Sequence, residues 1–309
     1  MSSAFFSTTD GDIILRAGPE PDSKHDFRVH KFILSLASSV FKDMLAFPQP
    51  PSQTLDEHQL PFVDVLDPPQ VLDTILRFIY PGVEPPEITK LSTLAALLST
   101  ADKYNITSVY PALRGVLKIL LPGDPFLAYI VASRFGFPEE AKEAAKVSRT
   151  STLTYNNPEE ELRHISSTDL LRLVQFVHQR EAQGLHRVQM AFEWWVLDEF
   201  DDCDHGELEK AKDYYFRLGK AVEEAFVRNP CVGSKDLYAV LDQVPDPPPG
   251  CEPPSKSGQW YYEESYEDGF TCPLQPMTIR RKLADLAEEL ARENDKILNR
   301  FFGKDDESS

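Results

Sequence analysis

A chain of 309 residues with 41% hydrophobic and 27% charged side chains has the balance of a folded globular protein, with length for two domains of ordinary size. Its 50 acidic against 32 basic residues leave a net charge of -18, which repels a phosphate backbone over most of the surface and argues against nucleic-acid binding. Residues 1–10 lack the basic start and apolar stretch of a secretion signal, and no run of about 18 apolar residues occurs, so no membrane span is expected. The cysteines, Cys203, Cys231, Cys251 and Cys272, all fall in the last third, which points to a reducing compartment, cytosol or nucleus.

Residues 12–16 and 27–30 read as two short strands around a polar turn. Phe32, Ile33 and Leu36, then Val40, Phe41, Met44 and Leu45, recur at helical spacing, with Ser38 or Ser39 placed to cap the second run. After a Pro/Gln loop over 48–59, residues 62–66 are apolar and β-branched enough for a third strand. Asp67 then precedes Pro68 and Pro69 as an N-cap, and a helix through Val71, Leu72, Ile75, Leu76 and Ile79 stops at Tyr80, Pro81 and Gly82. Two more helical faces follow, one through Leu91, Leu94, Leu98 and Ala101, the other through Val109, Leu113, Val116, Leu117 and Leu120. The order is β-β-α-α-β-α-α-α, with Ile14, Val29, Leu36, Phe41, Val65, Ile75, Leu98 and Leu113 expected in its core.

Farther on, Ser167 or Thr168 can cap a helix carrying Leu170, Leu171, Val174, Phe176 and Val177. Leu208, Ala211, Tyr215, Leu218, Val222 and Ala225 trace another seam, and Ile279, Leu283, Leu286, Leu290, Ile297 and Phe301 a third. These last two helices are expected to pack antiparallel on each other, across a Pro-rich loop.

The first eight elements, with their residues, resemble the BTB/POZ family. The stretches that carry the resemblance are 11–15, 27–45, 71–82 and 94–106; the most specific is the second, with His30-Lys31, Leu34 and the Ser38-x-x-Phe41 turn. The resemblance implies an α+β fold class: a BTB/POZ fold followed by a mostly α-helical C-terminal domain. The expected map is a flexible N-terminus (1–9), the BTB/POZ domain (10–121), a helical BACK-like extension of the kind found in fungal BTB chains (122–228), a Pro-rich loop region (229–276), a C-terminal helix (277–303) and an acidic tail (304–309).

No Gly-x-Ser-x-Gly elbow, phosphate-binding glycine loop or His-Glu-x-x-His motif occurs, and no enzyme activity or cofactor is expected. His30 is read as a semi-buried structural residue. Cys203, His205, Cys231, Cys251 and Cys272 suffice in number for zinc but lack the close pairs that structural zinc sites use, so no metal is expected. The acidic cluster from Asp198 to Glu207 reads as a solvated linker, and Trp194 and Trp195, with Phe192 and Phe200, as core.

The resemblance implies a non-enzymatic protein-interaction scaffold or adaptor. Two versions stand open: a substrate adaptor for a cullin-type ubiquitin ligase, or a transcriptional or signalling scaffold unconnected to a ligase. In the ligase-linked members the contact comes from the helix after the Ser-x-x-Phe turn and from a hydrophobic-x-acidic motif in the next loop. Carried onto this sequence, these give Phe41, Met44, Leu45, Leu55 and Glu57 as candidate partner-binding residues. The expected partners are proteins, with a cullin scaffold the first candidate. The short stretch ahead of the first strand leaves homo-oligomerisation open.

Overall fold

Short runs rich in apolar residues and the turn residues that bound them produce a three-stranded sheet of order β2-β1-β3, with β1 at Ile13–Ala17, β2 at His25–Val29 and β3 at Phe62–Val65. β1 pairs antiparallel with β2, Leu15 opposite Phe27, and parallel with β3, Leu15 opposite Val63. The computed structural model describes residues 6, 10–20, 24–46, 60–149, 163, 165–198, 208–244 and 276–303. Two compact units divide the chain, Met1–Ala141 with Glu160–Ile165, and Lys142–Glu159 with Ser166–Ser309.

In the first unit, helices α1 (Lys31–Ala37) and α2 (Ser39–Ala46) precede β3, and α3 (Pro69–Ile79), α4 (Leu91–Lys103) and α5 (Tyr110–Leu120) follow it, in the expected order, with α6 (Pro125–Arg134) after them. Ile14, Val29, Phe41, Val65, Ile75, Leu98 and Leu113 are all buried. Leu36, expected with them, is exposed; α1 buries Leu34 instead. Phe6 lies within the stretch expected to be flexible, yet it is buried edge-on against Tyr80 and Phe27. Proline after Tyr80 forces that residue into extended backbone and ends α3, and Gly82 takes a positive φ of 74° in the turn.

The compact unit takes in residues beyond 121, where the BTB/POZ domain was expected to end. Asp124 caps α6 by accepting the Leu127 N–H at 3.0 Å, and α6 buries Phe126, Tyr129, Ile130 and Val131, packing on α4. At the start of α7 (Pro138–Val147), buried Glu140 accepts a bidentate pair from Arg114 of α5 at 2.7 and 3.1 Å. Burial alone would raise this carboxyl, but the Arg114 hydrogen bonds and the Arg114 and Lys118 charges hold it below the usual carboxylate range.

The second unit is built on α8 (Ser167–Asp198), α9 (Leu208–Arg228), α10 (Ser234–Leu241) and α11 (Pro276–Phe302). Ser166, one residue before the expected caps, accepts the Asp169 N–H and starts α8. The buried stripe of α8 begins at Leu173, Phe176 and Val177, with Leu171 exposed. Ala211, Tyr215, Leu218 and Val222 of the α9 seam and Ile279, Leu283, Leu286, Leu290 and Ile297 of the α11 seam are buried, with Ala225 and Phe301 half-buried, but each helix packs principally against α8 rather than against the other. A helix of 32 residues offers enough length to receive both. On α8, Phe192 and Trp195 are buried whereas Trp194 is exposed, because neighbours on a helix point about 100° apart. Phe200 lies outside the described residues.

Candidate partner-binding surface

The helix pair α1–α2 is fastened to the domain by polar contacts at both of its starts. Asp12, at the entry to β1, accepts the Lys31 N–H at 2.8 Å, and the His30 N–H donates to Tyr80 Oη at 2.7 Å. His30 Nδ1 stands 3.3 Å from the same oxygen, so the half-buried imidazole ties the end of β2 to the end of α3. Burial pushes the Tyr80 phenol up to about 12; the His30 N–H bond acts against this, and the Asp12 and Asp10 charges act with it. At the second start, Ser38 Oγ accepts the Phe41 N–H at 3.0 Å and donates to the Tyr104 carbonyl at 2.5 Å, so one hydroxyl caps α2 and joins it to the end of α4. Asn105, held at a φ of 51°, donates a hydrogen bond from Nδ2 to Ser39 Oγ at 2.8 Å.

Phe41, 1% exposed, stacks on Tyr104 with ring centroids 4.4 Å apart and planes at 12°. It therefore belongs to the core, where it was expected with Ile14 and Val29, and its ring is not available to a partner as the candidate binding set required. Tyr104 is fixed in turn by Asp67, which accepts from Tyr104 Oη at 2.5 Å, Lys103 Nζ at 2.7 Å and Thr100 Oγ1 at 3.2 Å. Burial, then the Asp67 carboxylate, push the Tyr104 phenol well above its ordinary value. Asp67 thus serves as a buried acceptor for α4 and not as the N-cap of α3; Pro68 takes that position without any side-chain cap bond.

Met44 and Leu45 are half-buried on α2, available in part at the surface. Leu55 and Glu57 lie outside the described residues. The structure adds two residues, of which Leu36 had been expected in the core: Phe32 and Leu36, one turn apart on α1, are 77% and 78% exposed. Their signal was present, since Leu34 points roughly opposite to both. A seven-residue helix packed on one side cannot bury two apolar faces.

In the second unit, a cavity of about 590 Å³ opens between α8 and α9, floored by Phe192, Val196 and Tyr215 and bordered by Phe216, Lys220 and Glu193. Gly219 leaves room there, since a Cβ on it would come within 3.1 Å of the Phe192 ring. Of the cysteine–histidine set weighed for zinc, Cys231 alone falls among the described residues; Cys203, His205, Cys251 and Cys272 lie outside them. Among the described residues no helix is long and apolar enough to cross a membrane.

Residues 5–118 match the BTB/POZ domain family. No curated protein matches the chain.

Proposed function

From a chain that carries a BTB/POZ domain, a type of domain that binds other proteins, we propose a non-enzymatic adaptor whose α1–α2 pair docks one protein partner while the helical unit receives another. The observation that carries this reading is the exposure of Phe32 and Leu36 on a helix whose position is locked at both ends. Large apolar side chains kept in water on a rigid element are costly unless a partner covers them, and such side chains at the centre of an interface supply most of its binding energy. Met44 and Leu45 on the adjoining α2 extend the apolar character of the pair. The partner class favoured by the BTB resemblance is the N-terminal domain of a cullin scaffold, with Leu55 and Glu57 as further contacts. The cavity on α8 and α9 gives the helical unit an apolar recess with a charged border, suited to a substrate segment with an apolar anchor.

Titration of a cullin N-terminal domain onto the full chain tests this. The wild type is expected to bind at or below about 100 μM, and replacing Phe32 and Leu36 together by Asp, or Leu55 by Asp, is expected to weaken binding about thirtyfold, near 2 kcal/mol. A wild-type chain that fails to bind at this concentration rejects the cullin version. Partners recovered from extract by the wild type and lost by the Phe32/Leu36 double variant would then assign the face to a scaffold outside the ligases. Partners retained by that variant would remove the face from the proposal.

A further inference from the structure

The groove between α8 and α9 is lined by four carboxylates, Glu193 of α8 and Glu209, Asp213 and Glu223 of α9, against two ammonium groups, Lys212 and Lys220. Arg217 pairs with Asp213 at 2.8 Å. Glu193, Glu209 and Glu223 form no ion pair among the described residues. Along α9 the lining runs Glu209, Lys212, Phe216, Lys220, Glu223, so the outermost charges are both negative and an aromatic ring lies midway. The two glutamates stand nearly four turns apart on one face of the helix, about 21 Å along its axis. Phe216 is 62% exposed with Lys220 Nζ 5.0 Å from its ring centre, and beside it Gly219 places no side chain in the recess over Phe192.

The order of these charges selects among occupants. A second copy of α9 laid on the first would set glutamate against glutamate and lysine against lysine in either direction, which repels. An acidic segment would add its own charge to Glu209 and Glu223, and a purely apolar one would take those carboxylates from water without a partner. Cations at the two ends of the occupant, with an apolar group between them, pair both carboxylates and cover the exposed ring. The net charge of -18 on the whole chain steers such a segment inward and repels an acidic one.

We propose that this groove docks a basic protein segment in which one large apolar side chain, seated against Phe216 and the Phe192 floor, lies midway between Lys or Arg residues about 20 Å apart that pair with Glu209 and Glu223. The segment is the helical unit's partner in the adaptor reading above, on which this assignment rests. Spanning the groove takes about 6 residues of extended chain or about 14 of helix, so a short linear segment suffices.

The test uses the full chain as bait for a phage-displayed library of random peptides about 16 residues long, enough to span the groove in either conformation. The wild type is expected to enrich peptides with Lys or Arg toward both ends and one Leu, Met, Phe or Trp between them. The strongest of these, synthesised with a fluorescent label and titrated by anisotropy, is expected to bind Glu209→Lys/Glu223→Lys at least tenfold more weakly. Glu209→Gln/Glu223→Gln, which keeps size and fold, gives a smaller loss in the same direction. Glu87→Lys/Glu288→Lys, which changes the net charge equally at exposed positions outside the groove, stays within twofold of the wild type. No enrichment, or enrichment of acidic peptides or of peptides without an apolar anchor, overturns the proposal. An equal loss in the groove and control Lys variants, each folded by circular dichroism, reduces the binding to general attraction by an acidic chain and overturns it too. Phe32→Asp/Leu36→Asp is expected to bind the peptide as the wild type does. A failed cullin titration therefore leaves this proposal standing, and failed enrichment leaves docking on α1–α2 standing.

Discussion

Lys282 of α11 is 9% exposed, with its Nζ 5.3 Å from the Trp195 ring centre and 5.6 Å from that of Tyr215. Burial pushes its ammonium down from 10.5 to about 8. The folded chain therefore releases this proton at lower pH than the unfolded chain does. The penalty for burying the charge is complete below pH 8 and is relieved as pH rises toward 10.5, so stability climbs across that window. Lys282→Met is expected to flatten this climb and to raise the melting temperature of the helical unit at pH 7, as checked by thermal melts at pH 7, 8.5 and 10. A wild-type melting temperature that does not rise between pH 8.5 and 10 relative to the variant would contradict it. At this scale the sequence was partly legible. Ser38 announced its cap because an apolar helix begins directly after it, whereas Asp67 was misassigned because its three partners come from α4, more than thirty residues away.

At the scale of elements, the close approach of α8 and α9 rests on the absence of a side chain. A Cβ on Gly184 would stand 2.0 Å from Phe226 Cζ, well inside any van der Waals contact. Gly184→Ala would favour the helix by about 1 kcal/mol through propensity, but forcing the ring away from a packed interface costs about 1–3 kcal/mol. The net expectation is destabilisation of up to about 2 kcal/mol, read as a lower midpoint in the urea transition of the helical unit. An unchanged or higher midpoint would show that Phe226 has room to turn aside. Element existence and order were readable where three- and four-residue apolar spacing recurs, as in α3, α4, α9 and α11; α7 was not read as an element, and α10 lies inside the 229–276 stretch expected to be a Pro-rich loop. Which element meets which was less readable: α9 and α11 each carry a seam, and nothing in either sequence says that α8 receives both. The facing of α1 failed for a related reason. Phe32 and Leu36 satisfy the helical period as well as Leu34 satisfies burial, and only the packing of the domain chooses between them.

For the whole molecule, the two units make separate demands on the chain. The second unit's core takes Ile279, Leu283, Leu286, Ala287 and Leu290 from α11, and Val188, Phe192, Leu218 and Val222 from α8 and α9. Deleting residues 277–309 would expose that seam, each large side chain of which is worth about 1.5–3 kcal/mol when buried. The truncated chain is expected to lose the helical unit's cooperative melting transition and to aggregate, while the BTB/POZ unit keeps its own transition. A soluble truncated chain with both transitions intact would make α11 an appendage. Of the candidate binding residues, the helical placement of Met44 and Leu45 was legible because the family motif fixes their helix, whereas Phe41 fitted both the core and the candidate face, and the choice between them rests on Tyr104 from a distant element. The Gly184–Phe226 contact also has a mechanical meaning. Positions 180, 184 and 188 lie along one stripe of α8, with Arg180 and Val188 a turn to either side of the glycine. Sliding α9 by one turn, about 5.4 Å, would drive the ring into one of those side chains. The notch acts as a detent that indexes α9 along α8, so a partner seated on these helices can reorient side chains but cannot ratchet one helix past the other.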